Sequence, residues 1–416
     1  MRFHGNLSVA FRMIRVTHFI RKRGGDTQLA KHPSNVLVFR IGSLGDTIVA
    51  LPSLWAVREH FRQARLRLLS EQHPHDNRVL AKELLTGAGL FDDYLLYPVD
   101  NSTSGRWLRP LRMLRLLVEI RAGGFDALVY LAPSLRTADQ VARDRRYFAI
   151  AGIKRFFGMR GFPSLPRKIG ERPMPAVPFE AELLLARLAA DGIPIPQHGD
   201  GRFELGLGSR EEQQMQAWVR QLAPDQGRNW IGIGAGSNQP ANRWPVERYS
   251  GVVKDLIRQF DVWPVVFGGS EDQQTGNALL RDWGRGYNAA GCLSVRAAAV
   301  ALKRCSLYLG NNTGTMHLAA AVGTLCAAVH SARDFPGSWY PYGQIHRVFR
   351  SPIDCEGCHL KECVERRNEC LTRIKVEDVV AACSEVLAER CGKQSLQVVS
   401  QGNPLQQADG AHARSP

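Results

Sequence analysis

The chain has 416 residues, 44% of them hydrophobic and 22% charged, which is typical of a globular protein of about two to three domains. No run reaches the roughly 18 apolar residues of a spanning helix, and nine cysteines are too few for a disulfide scaffold. The N-terminus has no clean apolar core followed by a small-residue cleavage site, so we expect a cytoplasmic protein that is not exported.

The positive charge is concentrated in the first half of the chain. Residues 1–205 carry 31 basic and 19 acidic side chains, whereas residues 206–416 carry 23 and 20. This asymmetry predicts that the first half faces an anionic partner, for which nucleic acid, a membrane surface and a phosphorylated glycolipid all fit.

The first 30 residues form a segment of their own. Residues 1–23 contain six basic side chains and no acidic one, and apolar residues recur among them at helical spacing. Such a basic amphipathic stretch is typical of an interfacial membrane helix. A disordered leader is the alternative, and the sequence leaves both open.

The pattern from residue 31 to residue 205 predicts an N-terminal α/β domain. A β-branched run over 36–41 meets a glycine-containing loop at 42–46, and a helical rhythm follows. Further strands are predicted at 66–69, 94–97 and 127–131, and helices at 108–121 and 180–190.

A second α/β series is predicted over residues 206–391. Its strands are expected at 230–234, 263–267 and 306–309, and its helices at 246–260, 294–304 and 315–322. Residues 392–416 are rich in Gln, Gly, Ser and Ala and are expected to be a disordered tail. The sequence therefore predicts two Rossmann-like, doubly wound domains facing a central cleft, with ligands outside the carboxyl ends of the strands.

The first candidate site is the loop after the first strand, with Gly42, Ser43, Gly45 and Asp46. It lacks the third glycine of a dinucleotide fingerprint and the Gly-Lys pair of a P-loop, so nicotinamide and ATPase functions lose their main support. Asp46 is interpreted either as a carboxylate base at the cleft or as a helix-capping residue.

The strongest local signal is the turn from strand to helix at Asn312, Thr313, Gly314 and Thr315. Free backbone N–H groups and the helix dipole make such a turn suited to a pyrophosphate. An ordinary capped helix is the alternative, and His317 on its face is more often structural than catalytic.

Two further loops end strands in the second half. One contains Ser237, Asn238 and Arg243, whose guanidinium can neutralise a departing diphosphate. The other contains Glu271, a carboxylate suited to a ribose diol. Dipole, cation and carboxylate together are what a nucleoside diphosphate needs.

Several of these motifs together resemble glycosyltransferase family 9, the ADP-heptose:lipopolysaccharide heptosyltransferases. The similar stretches are RIGSLGDT at 40–47, GAGSNQPANRWP at 234–245, NNTGTMHLAAA at 311–321, and WYPYG at 339–343 with the cysteine cluster after it. The resemblance spans about residues 35–390. It implies a GT-B fold, an N-terminal acceptor domain, a C-terminal nucleotide-sugar domain, and inverting transfer with no metal or other cofactor.

The resemblance also implies roles for individual residues. Asp46 matches the family's catalytic base, and Glu271 matches the ribose-binding acid. Phosphate-contacting positions are matched by Ser237, Asn238, Arg243, Thr313 and Gly314, and Leu293 aligns with a residue near adenine. Asn312 stands where the family usually has Asp, and His330 begins a segment that replaces the usual Phe-Gly-Pro-Thr. The implied reaction moves a sugar, heptose from ADP-heptose, to a lipopolysaccharide-type core or a related cell-envelope glycolipid.

The predicted helix at 108–121 carries much of the charge of the first half, with Arg109, Arg112, Arg115 and Arg121. A solvated helix face is the default interpretation. A face for acidic lipid head groups or an anionic glycolipid is the other, and it predicts peripheral binding to the inner face of the cytoplasmic membrane.

Four cysteines follow the second series at Cys355, Cys358, Cys363 and Cys370. Their spacing is compatible with a structural zinc ion, although a reduced cluster without metal is the favoured interpretation.

Two other functions compete with glycosyl transfer. A non-catalytic nucleotide-sugar binder is suggested by Asn312, although Asp46, Arg243 and Glu271 are retained. A nucleic-acid-binding protein would explain the basic charge, but no zinc-finger, RRM or helix-turn-helix signature is present. We therefore expect a nucleotide sugar, an anionic glycolipid and a membrane surface as partners, and no nucleic acid.

Overall fold

The computed structural model describes residues 32–73, 79–99, 102–164, 166, 173–222 and 228–401. The N-terminal segment predicted over 1–30 lies outside these ranges, as do residues 402–416 of the predicted tail.

The first half contains a parallel five-stranded sheet. Its strands are β1 (Asn35–Phe39), β2 (Arg65–Gln72), β3 (Asp93–Pro98), β4 (Ala127–Tyr130) and β5 (Arg155–Phe157), in the order β3-β2-β1-β4-β5. Successive side chains of a strand point to opposite faces. Val36 and Val38 therefore join one apolar core, while Leu37 and Phe39 join another on the opposite face. Burial on both faces is why this strand is continuously apolar.

Among the described residues of this half, six helices connect and cover these strands. They are α1 (Leu44–Val49), α2 (Leu51–His60), α3 (Ala81–Leu85), α4 (Thr103–Ala122), α5 (Ala138–Ile150) and α6 (Glu180–Ala189). The four predicted strands and the helix at 180–190 are confirmed, and α4 begins earlier than predicted. The sequence analysis missed α3, α5 and β5.

The second half contains a parallel six-stranded sheet. Its strands are β6 (Trp230–Gly234), β7 (Trp263–Val266), β8 (Tyr287–Asn288), β9 (Leu307–Asn311), β10 (Cys326–His330) and β11 (Arg347–Arg350), in the order β11-β10-β9-β6-β7-β8. In this sheet, β7 and β8 lie on one side of β6, and β9, β10 and β11 lie on the other, so the strand order reverses between β6 and β9. In the first sheet it reverses in the same way between β1 and β4. Ligands of doubly wound sheets bind at such switch points.

Seven helices accompany this sheet in the described part of the chain. They are α7 (Ser209–Arg220), α8 (Val246–Phe260), α9 (Gln273–Trp283), α10 (Val295–Arg304), α11 (Gly314–Ala321), α12 (Glu369–Thr372) and α13 (Val376–Gln401). α13 continues to Gln401, so its last turns lie in the stretch that was predicted as a tail from residue 392; Lys, Gln and Leu in this stretch are good helix formers. None of the described helices is both long and apolar enough to cross a bilayer.

The two halves pack against each other through helices. Helix α1 of the first half contacts α11 of the second, and α3 contacts α10; one continuous apolar cluster contains residues of both halves. Arg296 on α10 adds a buried polar link: it donates to the carbonyls of Leu84 (2.9 Å) and Leu205 (2.8 Å) and pairs with Glu211 (2.8 Å). Because α1 follows β1 and α11 follows β9, the switch points of both sheets meet at this contact.

Candidate active site

Asp46 occupies the third position of α1, directly beyond the carboxyl end of β1. Its Oδ2 accepts hydrogen bonds from the backbone N–H (2.7 Å) and the hydroxyl (2.8 Å) of Ser43, which is the N-cap residue. Its Oδ1 lies 3.6 Å from Nη2 of Arg40, and the side chain is 20% exposed. Asp46 thus stabilises the helix start while presenting a carboxylate oxygen at the surface of the loop.

Gly42 makes this carboxylate geometry possible. Its φ is +124°, a conformation that side chains disfavour, and a Cβ added there would lie 2.5 Å from Cγ of Asp46. The folded-back carboxylate occupies the space that any other residue would need.

Arg40 supports the same loop from inside the protein. Its side chain is buried and donates to the carbonyls of Leu131 (2.6 Å) and Asp46. Burial lowers the pKa of Arg40, and the neighbouring Asp46 carboxylate opposes that shift. Arg40 is therefore a positioning residue; sequence reasoning included it in the motif but gave it no role.

The predicted anion site lies at the start of α11. Thr313 is the N-cap, and its side chain makes no capping hydrogen bond. Instead its hydroxyl contacts that of Thr315 (2.9 Å), which also bonds to the Tyr308 hydroxyl (2.8 Å). The first-turn N–H groups, which a capping side chain would otherwise engage, together with the helix dipole suit a phosphate. Asn312 is half-buried in the turn, and its N–H donates to the Val329 carbonyl (3.2 Å).

The Asp46 loop and this anion site touch through two glycines. A Cβ added to Gly45 would lie 3.0 Å from Cδ2 of His317 and 3.6 Å from Cα of Gly314. A Cβ added to Gly314 would lie 3.0 Å from Cβ of Leu44. The two helix starts are thus as close as their backbones allow, and residues about 270 positions apart form one site.

His317 is buried beneath this contact and is only 4% exposed. Burial, with a smaller contribution from His346, lowers its pKa to about 4, so the ring is neutral near pH 7. Its ring makes an edge-to-face contact with the ring of Trp339, at a centroid distance of 6.3 Å. This environment favours the structural interpretation of His317, and its contact with a donor stays a prediction.

The loop after β6 holds Arg243. Its Nε donates to the Ser237 carbonyl (2.8 Å), and the Ser237 hydroxyl accepts from the Gln239 N–H (3.1 Å). Arg243 and Asn238 are exposed. The Ser237 carbonyl therefore holds one edge of the Arg243 guanidinium, while the Arg243 side chain stays exposed to solvent.

Asn311 braces this loop, a role that sequence reasoning missed. The side chain is fully buried: Nδ2 donates to the Ala235 carbonyl (2.8 Å), and Oδ1 accepts from the Trp244 N–H (3.0 Å) and the Tyr249 hydroxyl (2.7 Å). It joins the end of β9 to the end of β6 and to the residue after Arg243. A polar residue closing an otherwise apolar strand was the signal that could have revealed it.

The loop after β7 carries the predicted ribose ligand, Glu271, which is exposed. Its neighbour Asp272 was not predicted. The Asp272 carboxylate accepts from the Gly269 N–H (3.1 Å) and leaves no room for a Cβ on Gly236, so it ties the loops after β6 and β7 together. Burial raises the pKa of Asp272. Leu293 is half-buried against the shared core.

The four clustered cysteines line one small cavity of about 20 Å³. All four are free thiols of intermediate burial. Among the residues that the structure describes, no group of three or more His, Cys, Asp or Glu side chains is arranged to hold a metal ion.

Comparisons with known proteins agree with this architecture. The model of glycosyltransferase family 9 (heptosyltransferase) matches residues 161–368, half of the chain. Lipopolysaccharide heptosyltransferase 2 of Salmonella typhimurium (strain LT2) is 33% identical over 106 residues. That match spans 23% of this chain and 29% of the relative, so less than a third of the relative's length is covered.

Two solved structures share the fold. A family 9 glycosyl transferase from Veillonella parvula DSM 2008 has a TM-score of 0.64 at 18% identity, covering 86% of this chain and 97% of that one. The E. coli ADP-heptose lps heptosyltransferase II has a TM-score of 0.58 at 20% identity, covering 86% and 99%. The predicted fold of two facing α/β domains, GT-B, is confirmed.

Proposed function

We propose that this chain, which belongs to glycosyltransferase family 9, transfers heptose from ADP-heptose to a hydroxyl group of a lipopolysaccharide-type core or a related cell-envelope glycolipid. The observation that carries the proposal is the contact between the start of α1, with Asp46, and the anion site of α11. This contact supports the proposal because transfer from a nucleotide sugar requires a base close to the diphosphate of the donor. The family and the names of the similar proteins support the choice of donor and acceptor.

In the proposed reaction, the acceptor hydroxyl attacks the anomeric carbon from the side opposite the diphosphate. The bond from the acceptor oxygen to the anomeric carbon forms as the bond to the phosphate oxygen breaks, so the configuration inverts. Asp46 takes the hydroxyl proton, a role that contributes typically about 10²- to 10⁴-fold to rate. Arg40 and Ser43 hold the carboxylate in place.

In the proposal, protein groups stabilise the negative charge that develops on the leaving ADP, in place of a metal ion. Arg243 supplies a cation and the first turn of α11 supplies N–H groups directed at the diphosphate. Further donor contacts are assigned to Ser237, Asn238, Asn312, Thr313, Gly314 and Thr315, with Glu271 at the ribose and Leu293 near the adenine. Residues 31–205 then serve as the acceptor domain and residues 206–391 as the donor domain.

The first experiment is nucleotide binding followed by turnover. ADP and ADP-heptose should raise the melting temperature, whereas UDP, GDP and CDP should not. Asp46→Asn should keep ADP affinity and lose at least about 100-fold in turnover, because the proton acceptor is gone.

Asp126→Asn is the matched control. Asp126 also accepts hydrogen bonds from the N–H (2.8 Å) and the hydroxyl (2.9 Å) of a serine, Ser34. However, Asp126 precedes β4 and so lies at the amino ends of the strands, opposite to the Asp46 loop. Turnover by Asp46→Asn equal to that by Asp126→Asn would remove Asp46 as the base. Stabilisation by another nucleotide instead of ADP would overturn the donor.

A non-catalytic nucleotide-sugar binder is the second candidate, and Asn312 favours it because the family usually has Asp there. Under this alternative the wild-type protein binds ADP-heptose but turns over no acceptor. Asn312→Asp would then gain turnover, whereas for an active transferase the same substitution changes a rate that is already present.

A further inference from the structure

An exposed apolar stripe runs along α4 on the surface of the first half. Trp107 is 82% exposed, Leu111 64%, Leu114 51% and Val118 56%, and Leu108 at 49% widens the stripe. Positions 107, 111, 114 and 118 follow the alternating four- and three-residue spacing of one helix face.

The opposite face of α4 already anchors the helix to the protein. Leu116 and Ile120 are buried, and Met113 and Leu117 pack against the same apolar core on the outer side of the first sheet. A surface helix normally turns polar residues outward. The outer stripe is therefore not needed to hold α4 in place, and it leaves apolar area in water.

This stripe is a patch and not the usual scatter of exposed apolar residues. Eleven large apolar side chains are exposed among the described residues, and five of them lie on this one helix. Contiguous apolar surface on this scale marks an interaction site.

Positive charge borders the stripe. At about 100° per residue, Arg112 and Arg121 lie on its two flanks. Arg115 lies within it and pairs with Glu119 at 3.0 Å. Arg121 donates to the carbonyl of Ile150 (3.3 Å), an exposed residue (46%) at the C-terminal end of α5. An apolar centre between arginines complements a surface with an apolar interior and anionic head groups, because long basic side chains reach outward while the apolar residues insert.

The direction of α4 relates this surface to the cleft. The helix follows the carboxyl end of β3 and leads to the amino end of β4. The amino end of α4, with Trp107, therefore lies on the side of the sheet where the strands have their carboxyl ends, which is also the side of the Asp46 loop. A lipid surface in contact with this end would lie on the side of the domain where the proposed acceptor enters.

The geometry points to the outer face of α4 as a membrane-docking surface that inserts Trp107, Leu111, Leu114 and Val118 between the head groups of an anionic lipid bilayer. This inference concerns attachment to the membrane and does not depend on the identity of the donor sugar.

Vesicle flotation of the full chain tests it. The protein should bind vesicles of phosphatidylcholine with about one-third phosphatidylglycerol more strongly than pure phosphatidylcholine vesicles, and added salt should weaken binding. The double variant Leu111→Glu/Leu114→Glu should lose at least about tenfold in partitioning, because two inserted side chains become charged.

The matched control is Ile345→Glu/Val364→Glu, which adds the same two charges at exposed apolar positions of the second half (56% and 74%). It should bind as the wild type does. Quenching of tryptophan fluorescence by brominated lipid should fall in Trp107→Phe, which reports insertion of that side chain. Turnover of a water-soluble acceptor should be the same in the Leu111/Leu114 variant and the wild type, which separates failed docking from failed catalysis.

Three results would overturn the inference. The first is that the wild-type chain does not bind anionic vesicles. The second is that the Leu111/Leu114 variant binds them as tightly as its control; loss of binding in Phe11→Glu would then assign attachment to the N-terminal segment. The third is that the wild type sediments as a dimer and the Leu111/Leu114 variant as a monomer, while both bind vesicles equally. A second copy of the chain would then cover the stripe.

Discussion

Gly42→Ala tests whether the geometry of Asp46 matters for turnover. At φ +124° an alanine pays about 1–3 kcal/mol of backbone strain. Its Cβ would also lie 2.5 Å from Cγ and 2.7 Å from Oδ2 of Asp46, so the carboxylate must move and lose its Ser43 hydrogen bonds. If Asp46 is the base, moving its carboxylate should lower the turnover rate, by up to the roughly 10²- to 10⁴-fold that general-base catalysis contributes. ADP affinity should stay unchanged, because the anion site belongs to the second sheet.

Gly152→Ala separates the clash from the strain. Gly152 has φ +100° and nothing within 4 Å of an added Cβ, so alanine there brings backbone strain alone. Both variants should melt at lower temperature than the wild type and bind ADP equally well in calorimetry. Only Gly42→Ala should lose initial rate with ADP-heptose and acceptor. If its rate stays within about twofold of that of Gly152→Ala, the close contact with Asp46 has no part in the reaction.

Three further predictions concern the brace, the buried histidine and the thiols. Asn311→Ala should cost about 2–4 kcal/mol of unfolding free energy and weaken ADP binding, because the buried Trp244 N–H and Tyr249 hydroxyl lose their acceptor; unchanged melting and ADP affinity would contradict the brace. His317 has a folded pKa of about 4 against an ordinary 6.5, so the unfolded chain binds more protons between these values. This difference contributes about 3 kcal/mol to the free energy of unfolding, which is fully present above pH 6.5 and is lost as pH falls to 4. The melting temperature of His317→Gln should therefore depend less on pH between 6.5 and 4 than that of the wild type, and an equal dependence would refute the assignment. Elemental analysis should find less than about a tenth of an equivalent of zinc per chain, as expected for a reduced cluster without metal; one equivalent would show that the four cysteines bind the ion.

The sequence predicted the strands that position the site because parallel strands buried on both faces are continuous apolar runs. The run before Gly42 and the one ending at Gly234 are of this kind, and the glycines after them mark the loops correctly. Strands β5 and β8, with three and two residues, have no such pattern, because pairing with a neighbouring strand alone defines them. Asn311 escaped for a different reason: its acceptors and donors come from segments more than 60 residues away in the chain.

The apolar residues of α4 are divided between two faces of the helix. Leu108, Leu111, Leu114, Leu117 and Ile120 repeat every three residues. At 3.6 residues per turn, a strict three-residue repeat drifts by about 60° at each step and by about 240° over the set. Its first three members therefore point outward and its last two point inward. An alternating three- and four-residue spacing is needed for one face, and the outer stripe that has it begins at Trp107, which the sequence analysis left out.

The same distinction between local and distant information applies to the active site. Each helix start is encoded locally, by a glycine and a capping residue after a strand. The contact between Gly45 and Gly314 is not, because it depends on how the two sheets pack. Since a Cβ on either glycine would contact the opposite helix, small residues at both positions are a condition for the proposed base and the proposed diphosphate site to share one cleft. The absence of side chains at these two positions, and not the charged groups around them, is thus the feature of the sequence that permits the two halves to act on one pair of substrates.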